Sequence, residues 1–289
     1  MPEVTQCQVC SSTEPIFIQS SYVYLNSAEL NLVKCAKCGL VYLNPQPAGV
    51  EIENLYSKEY FIKWYGTEKK RGFSKNFFRR LMKLSGLNPK PGQKLLDVGC
   101  GMGFFLEVAR EWGWEGKGVE IAPYAVNYCG ERLNFNVHCG SLETASYPND
   151  DFNIVTAFDF LEHISGLSSF LSEVKRILKK EGQFIVLVPN YDSLVFQLDR
   201  NICRLKKLPL TNVPEHLTYF TLSSLKQLLE ENGFKLKKLL TTDANDEGEY
   251  LLLRGAPKAV LRALLNNVCY LVGKMSNRQE AILAIAKKG

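Results

Sequence analysis

The sequence predicts an α/β fold: an open, mostly parallel sheet with helices on both faces, preceded by a small cysteine-rich unit. Three observations predict it. Short apolar runs alternate with helical patterns from residue 94 onward, as strand–helix–strand units require. One run, Leu95-Leu96-Asp97-Val98, opens straight into a glycine-rich turn, Gly99-Cys100-Gly101-Met102-Gly103. Two Cys-x-x-Cys pairs, Cys7/Cys10 and Cys35/Cys38, stand ahead of that run.

The 289 residues give room for one large domain with an appendage, or for two small domains. A hydrophobic content of 46% is ordinary for a globular chain. The formal net charge of +5 is mild and diffuse, so no nucleic-acid partner is expected, although an anionic acceptor is allowed. The polar start, Met1-Pro2-Glu3-Val4-Thr5-Gln6-Cys7, does not resemble a signal peptide. No stretch approaches the ~20 uninterrupted apolar residues of a membrane span. There are nine cysteines, an odd number, and five are scattered through apolar segments. That usage suits a reducing cytoplasm with thiolates on a metal, rather than a disulfide scaffold.

Residues 1–47 form the first unit. The two cysteine pairs bracket a β-rich stretch with Ile16-Phe17-Ile18 and Tyr22-Val23-Tyr24-Leu25. Knuckles of this kind supply four thiolates, here Cys7, Cys10, Cys35 and Cys38, to a tetrahedral Zn²⁺. Four thiolates leave no open position, so the expected zinc is structural. Gly39 follows the second knuckle, where the turn wants a residue free of Cβ strain. The bland alternative is four buried or redox-active cysteines.

Residues 48–90 are the second unit, a helical linker or cover after the stiff connector Pro45-Gln46-Pro47. Its aromatics, among them Tyr56, Tyr60 and Phe61, are expected mostly to pack on the main domain, with one or more of these three also open to a pocket. Lys69, Lys70, Arg71, Lys75, Arg79, Arg80 and Lys83 read as a solvated helix face that could attract a phosphorylated acceptor.

The third unit is 91–289. The pattern predicts strand 94–98, helix 103–113, strand 116–120, helix 123–132, strand 135–139, strand 152–158, helix 167–180 and strand 183–188. Pro123 suits a first helical turn. Lys179-Lys180-Glu181-Gly182 reads as a helix end, with basic residues and then glycine. An insertion over 190–214 carries a basic amphipathic piece, Leu194 to Leu208. Helix 222–232, capped by Thr221 and closed by Gly233, leads to strand 234–242. Leu251-Leu252-Leu253 also looks like a strand.

The glycine turn is where the chemistry begins. Glycines remove the Cβ atoms that would hold the backbone away from a ligand. The turn opens onto a helix N-terminus, whose free N–H groups favour anionic or polar groups. Glu120 ends the next strand, where a carboxylate can accept both hydroxyls of a ribose. The site therefore reads as a nucleoside-cofactor pocket. A dinucleotide oxidoreductase would space its glycines Gly-x-Gly-x-x-Gly, and here the third comes one residue early.

Asp97-Val-Gly-Cys-Gly-Met-Gly followed by Val119-Glu120 resembles the class I S-adenosylmethionine-dependent methyltransferases. The resemblance implies a Rossmann-like, seven-stranded methyltransferase sheet whose last strand is antiparallel. That strand would be Glu280 to Lys287, which makes 243–279 a second insertion. Within it Leu261, Leu264, Leu265, Val268, Leu271, Val272 and Met275 follow helical spacing. A helix packed over the sheet or the active site is expected there; a dimer contact or a membrane-surface patch are lesser readings. The resemblance also implies S-adenosylmethionine as cofactor, held by Asp97, Gly99, Cys100, Gly101, Gly103, Glu120, Ile121, Ser141, Leu142, Phe158 and Leu161. Many members carry an acid where this chain has Ser141.

Transfer to a nucleophile needs alignment and removal of its proton. The sequence has three histidines. His138 falls in a strand and reads as structural. His163, in Leu161-Glu162-His163, and His216, beside Glu215, fall in loops at the carboxyl edge of the sheet, and either could be the base. Over roughly residues 1–240 the arrangement resembles bacterial sugar methyltransferases of deoxysugar and glycan pathways, including C-methyltransferases of nucleotide-linked keto sugars. That implies His216 as the base, with Glu215 beside it and His163 shaping the pocket. Those C-methyltransferases carry a further C-terminal domain that this sequence does not show, so an O- or N-methyl acceptor or a lipid-linked glycan stands equally open. The expected partner is a small-molecule acceptor, on a monomer or homodimer. An RNA or protein methyltransferase that uses the ribbon as reader, and a non-catalytic cofactor or zinc scaffold, are the alternatives.

Overall fold

The computed structural model describes residues 3–47, 52, 55–66, 68–87, 90–210, 212–243 and 267–289. Near the N-terminus, β1 (Pro15–Leu25), β2 (Ala28–Cys35) and β3 (Val41–Asn44) form an antiparallel meander. Two helices follow, α1 (Lys58–Tyr65) and α2 (Glu68–Ser85). Next come β4 (Lys94–Val98), α3 (Phe104–Glu111), β5 (Glu115–Glu120), α4 (Pro123–Leu133) and β6 (Val137–Cys139). Then β7 (Phe152–Phe158), α5 (Leu167–Ile177) and β8 (Leu178–Pro189) complete the parallel part. The rest is α6 (Leu194–Lys206), β9 (Thr218–Tyr219), α7 (Leu222–Glu231), β10 (Phe234–Thr242) and β11 (Ala281–Lys288).

Seven strands make the large sheet in the order β10-β11-β8-β7-β4-β5-β6. The strands from β8 to β6 pair in parallel. β11 enters between β8 and β10, antiparallel to both. Central strands such as Phe184-Ile185-Val186-Leu187-Val188 are buried on both faces, which is why they read as unbroken apolar runs. One face is covered by α5 and α7, through Phe170, Leu171, Val174, Leu225, Leu228 and Leu229. The other is covered by α2, α3 and α4, through Leu81, Met82, Phe105, Leu106, Cys129 and Leu133.

The cysteine unit belongs to the first of these cores. Val9, Val33, Leu40 and Tyr42 pack into the same cluster as Leu161, Leu167 and Phe170. Its sheet also gains a strand from far along the chain. β9 pairs antiparallel with β3, with Val41 opposite Tyr219 and Tyr42 opposite Thr218. That pairing was not expected, because a two-residue strand leaves no periodicity to read.

Two sequence expectations change. The helix foreseen over 167–180 stops at Ile177, and β8 begins at Leu178. The cause is pairing: Leu178 is fully buried opposite Phe152, and the next registered pair is Ile154 with Gln183. Residues 179–182 therefore bulge from the ladder instead of ending a helix, and Glu181 takes a positive φ of 65° there. In the second insertion, Leu251-Leu252-Leu253, Leu261, Leu264 and Leu265 lie outside the described residues. Residues 267–275 are helical, but Val268, Leu271, Val272 and Met275 are exposed, Met275 at 89%. These four side chains do not pack down on the sheet among the described residues.

Candidate active site

A cleft of about 1010 Å³ opens at the carboxyl ends of β4, β5 and β7. Its floor begins with the turn after β4. Gly99, Gly101 and Gly103 have positive φ of 71°, 51° and 74°, which favours glycine at each. They do different work. A Cβ on Gly99 would sit 2.5 Å from the ring of Phe160, and one on Gly103 2.9 Å from Cys129 Sγ. At Gly101 a Cβ would meet nothing closer than Phe61 at 3.9 Å. Packing thus demands the outer two glycines, whereas the middle one leaves open space over bare backbone, as a cradle for a ligand does. Gly99 and Cys100 both donate their N–H to the Val119 carbonyl, at 2.8 and 3.1 Å, which ties the turn to β5.

Glu120 locks the same turn. Its carboxylate accepts the Gly101 N–H at 2.9 Å through one oxygen and the Ala122 N–H at 2.9 Å through the other. Each oxygen keeps a lone pair for a further donor, such as a ribose hydroxyl. Burial raises its pKa, and those backbone N–H groups oppose the shift. Ile121, 44% exposed although apolar, stands next to it on the cleft wall with Ser141 and Leu142. Asp97 lies at the other side of the turn, accepting the Thr156 hydroxyl at 2.6 Å. Burial pushes its carboxyl up to about 7, opposed by that hydrogen bond. A buried carboxyl open to the cleft suits the cationic end of S-adenosylmethionine. The residues present therefore fit that cofactor, with ribose at Glu120, a flat apolar group at Ile121 and a cation at Asp97.

The roof is aromatic. Tyr56, Tyr60, Phe61 and Tyr65 from α1 and the segment before it line the cleft, beside Phe77, Phe78 and Phe158. The three aromatics singled out in the linker, Tyr56, Tyr60 and Phe61, all open to this space.

The cleft also meets the Glu-His residues. Asp159 opens into it at the end of β7 with a φ of 48°, uncommon for a residue with a side chain. Desolvation by the surrounding walls raises its carboxyl to about 6. His163 lines the cleft, and its Nδ1 donates to the Glu215 carbonyl at 2.8 Å. His216 stands behind it, ring centroids 4.7 Å apart and planes at 89°. Burial holds His163 down to about 4 and His216 well below its usual value, so both rings are neutral near pH 7. Glu162 is buried under both, 1% exposed, with no hydrogen-bond partner on either carboxyl oxygen. Burial, then the nearby Asp159, raises its pKa far above the carboxylate range.

Of the sequence-derived cofactor residues, Asp97, Gly99, Cys100, Gly101, Glu120, Ile121, Ser141, Leu142 and Phe158 line the cleft. Gly103 instead serves as the N-cap of α3. Leu161 is a correction: the short 3₁₀ turn over Leu161–His163 buries its side chain completely in the core below. Glu215 and His216 are not on the lining, and His163 is the histidine that faces the cleft. His138 bonds Thr144 Oγ1 at 2.9 Å beside β6, in keeping with a structural role. Asp159 was not singled out, although it lies in the segment Phe158 to Ile164 after β7, which the family resemblance sets against the cofactor's methionine arm and the acceptor.

The second cluster is the four cysteines. Their sulfur atoms lie within 4.8 Å of one another, with Cys7 to Cys38 and Cys10 to Cys35 both at 3.5 Å. Metal–sulfur bonds of ~2.3 Å put tetrahedral ligands ~3.8 Å apart, so the donor set fits a small ion with little movement. Gly39 has a φ of 77° and donates its N–H to the Cys35 carbonyl at 3.0 Å, as the knuckle turn requires.

Comparison with known proteins places this fold in a family. A family model described as a methyltransferase domain matches residues 69–239. The chain belongs to this family. The chain is 27% identical over 163 residues to a ubiquinone biosynthesis O-methyltransferase of Bradyrhizobium sp. (strain ORS 278), covering 51% of this chain and 63% of that protein. It is 24% identical over 181 residues to phosphoethanolamine N-methyltransferase 1 of Arabidopsis thaliana, covering 58% of this chain and 33% of that protein. Neither relative is matched over two-thirds of its own length. Among solved structures, the chain is similar to a SAM dependent methyltransferase from Archaeoglobus fulgidus, with a TM-score of 0.58 and 24% identity over 81% of this chain and 100% of that one. It is also similar to the geranyl diphosphate C-methyltransferase of Streptomyces coelicolor A3(2), with a TM-score of 0.54 and 13% identity over 84% of this chain and 86% of that one. The shared fold is the Rossmann-like α/β methyltransferase sheet with its antiparallel last strand.

Proposed function

We propose that this chain is an S-adenosylmethionine-dependent methyltransferase acting on a small-molecule acceptor, a sugar or a glycan or secondary-metabolite intermediate. The observation that carries the reading is one cleft that gathers Glu120 and Asp97 at the glycine turn together with Asp159 and His163. The relatives support a small acceptor, since those reported above carry the names of a ubiquinone biosynthesis O-methyltransferase and a phosphoethanolamine N-methyltransferase. The sugar assignment rests on the sequence resemblance alone.

S-adenosylmethionine supplies a methyl group already activated on a sulfonium. The chain's own residues have to hold, orient and deprotonate. Asp97 and Glu120 fix the two polar ends of the cofactor. The aromatic roof excludes water and presses the acceptor toward the turn. Asp159 presents a carboxylate on the cleft wall to take the acceptor's proton. His163, held by the Glu215 carbonyl and backed by His216, orients the acceptor beside it. Glu215 thus contributes through its backbone, and His216 through its neighbour.

The domain reading of 1–47, 48–90 and 91–289 belongs to the same proposal, as does a cytoplasmic site of action. No helix among the described residues is long and apolar enough to cross a membrane. Cys7, Cys10, Cys35 and Cys38 would hold a structural Zn²⁺, the ion their donor type and spacing suit.

The decisive experiment is calorimetry with S-adenosylmethionine and with its demethylated product, on the wild-type chain and on His216→Ala. Both proteins are expected to bind the cofactor, and the variant to lose turnover. Absence of binding in the wild type would sink the enzyme reading. Full activity in His216→Ala would remove the histidine pair from the mechanism.

A further inference from the structure

Glu162, His163 and His216 form a cluster that the proposed reaction leaves half explained. Their donor atoms lie within 4.8 Å of one another, and Glu162 Oε1 is 3.7 Å from His163 Nε2. Two features of the cluster point to a ligand. Both oxygens of Glu162 are buried without a hydrogen-bond partner, a costly state for a carboxyl group. In addition, His163 is oriented from behind. A carbonyl can only accept, so Nδ1 carries the hydrogen given to Glu215, and Nε2 turns an unprotonated lone pair toward Glu162. Metal-binding histidines are oriented in this way, by a backbone carbonyl on the nitrogen away from the ion.

We infer that Glu162, His163 and His216 bind a divalent transition ion, zinc foremost, at the acceptor end of the cleft. Two imidazoles and one carboxylate are a three-ligand set with room for an exogenous fourth, as in catalytic rather than structural zinc sites. Imidazole donors disfavour magnesium and calcium, which take oxygen ligands. Bond lengths of ~2.0–2.1 Å place tetrahedral donors ~3.3 Å apart, so the cluster has to close by about an ångström or less at the Glu162–His163 edge. Of the three ligands His163 lies on the cleft wall, so an exogenous ligand would reach the ion from that side.

The ion's role, though not its binding, rests on the methyltransferase reading. The acceptor class it selects carries a hydroxyl at the methylated position. With that oxygen on the ion, its O–H bond breaks and the proton passes to the Asp159 carboxylate. The oxygen's electron pair forms the new bond to the methyl carbon. The carbon–sulfur bond breaks, and its electron pair stays on sulfur as a neutral thioether.

The test is a metal count on the full chain after zinc loading and desalting, by plasma mass spectrometry. Glu162→Gln and His216→Ala are each expected to hold one equivalent of zinc fewer than the wild type, while S-adenosylmethionine affinity is unchanged. Zinc affinity at this site should fall about 100-fold or more, since loss of even an outer-shell partner costs about 10–100-fold. Equal zinc content in the wild type and both variants overturns the proposal. Because replacing buried Glu162 can unfold the chain, Co²⁺ titration of the wild type supplies a second reading. A cobalt site of imidazole and carboxylate should fill with visible bands that lack thiolate charge transfer, and their absence overturns the site as well. Neither measurement involves cofactor or turnover, so failure of the methyltransferase reading leaves a distinct result: no cofactor binding in a chain that still holds this metal.

Discussion

Gly99 shows how far single residues in this site are committed. Its φ of 71° and the Phe160 ring 2.5 Å from any added Cβ leave no room for a side chain. Gly99→Ala should cost about 1–2 kcal/mol for the left-handed backbone alone, and more for moving a ring that lines the cleft. We expect a lower melting temperature and at least tenfold weaker cofactor binding, both read by calorimetry. Asp97 yields a prediction in pH. Its carboxyl is raised to about 7 when folded, against an ordinary value of 3.8. The folded state therefore holds the proton more tightly, and stability falls as pH rises through that window. Asp97→Asn should remove this part of the decline, seen as a flatter melting profile between about pH 4 and 7 in cofactor-free protein. Legibility at this scale followed locality. The glycine turn and Glu120 could be read because their meaning lies in spacing along one strand–turn–helix–strand unit. Glu162 could not, because its isolation shows only when His216 arrives from a separate segment beside it. Asp159 was not singled out, since an acid at a strand end is ordinary until the cleft around it is seen.

Whole elements were read best where periodicity and capping agreed. α7 is capped by Thr221 as foreseen, which forms a capping box with Ser224, and Gly233 follows the helix with a φ of 80°. The antiparallel β11 sits where the resemblance implied, displaced by one residue. β8 was misread at its start because Lys179-Lys180-Glu181-Gly182 has the composition of a helix end, and the pull of the Leu178–Phe152 pair is tertiary. The cysteine unit is small and its sheet short, so bound zinc should carry much of its folding free energy. Cys35→Ser, or removal of metal with a chelator, should therefore lower the melting temperature and expose the Val33–Tyr42 face. Thermal melts with and without added zinc check this, and an unchanged melt would leave the cysteines without a structural metal.

At the level of the molecule, one short segment joins the two sheets. Leu217 accepts the Leu43 N–H at 2.9 Å and the Gln46 side-chain amide at 3.1 Å, and donates its own N–H to the Glu162 carbonyl at 2.7 Å. The cysteine unit is thereby tied to the turn that carries Glu162 and His163. Gln46→Ala removes one of these ties and leaves the cofactor residues untouched. Its expected effect is a fall in turnover with no change in the dissociation constant of S-adenosylmethionine, measured by steady-state kinetics and calorimetry. Equal losses in both would mean that the segment acts only through general stability.

The strand exchange between β3 and β9 also bears on how such a protein could be re-engineered. Residues near 42 and near 218 are neighbours in one ladder though far apart in the gene. A graft that swaps only the amino-terminal unit, or only the loop carrying His216, would pair a native strand with a foreign one. Acceptor preference should therefore move between chains as a two-part cassette, and recombination that cuts between the parts should select against itself.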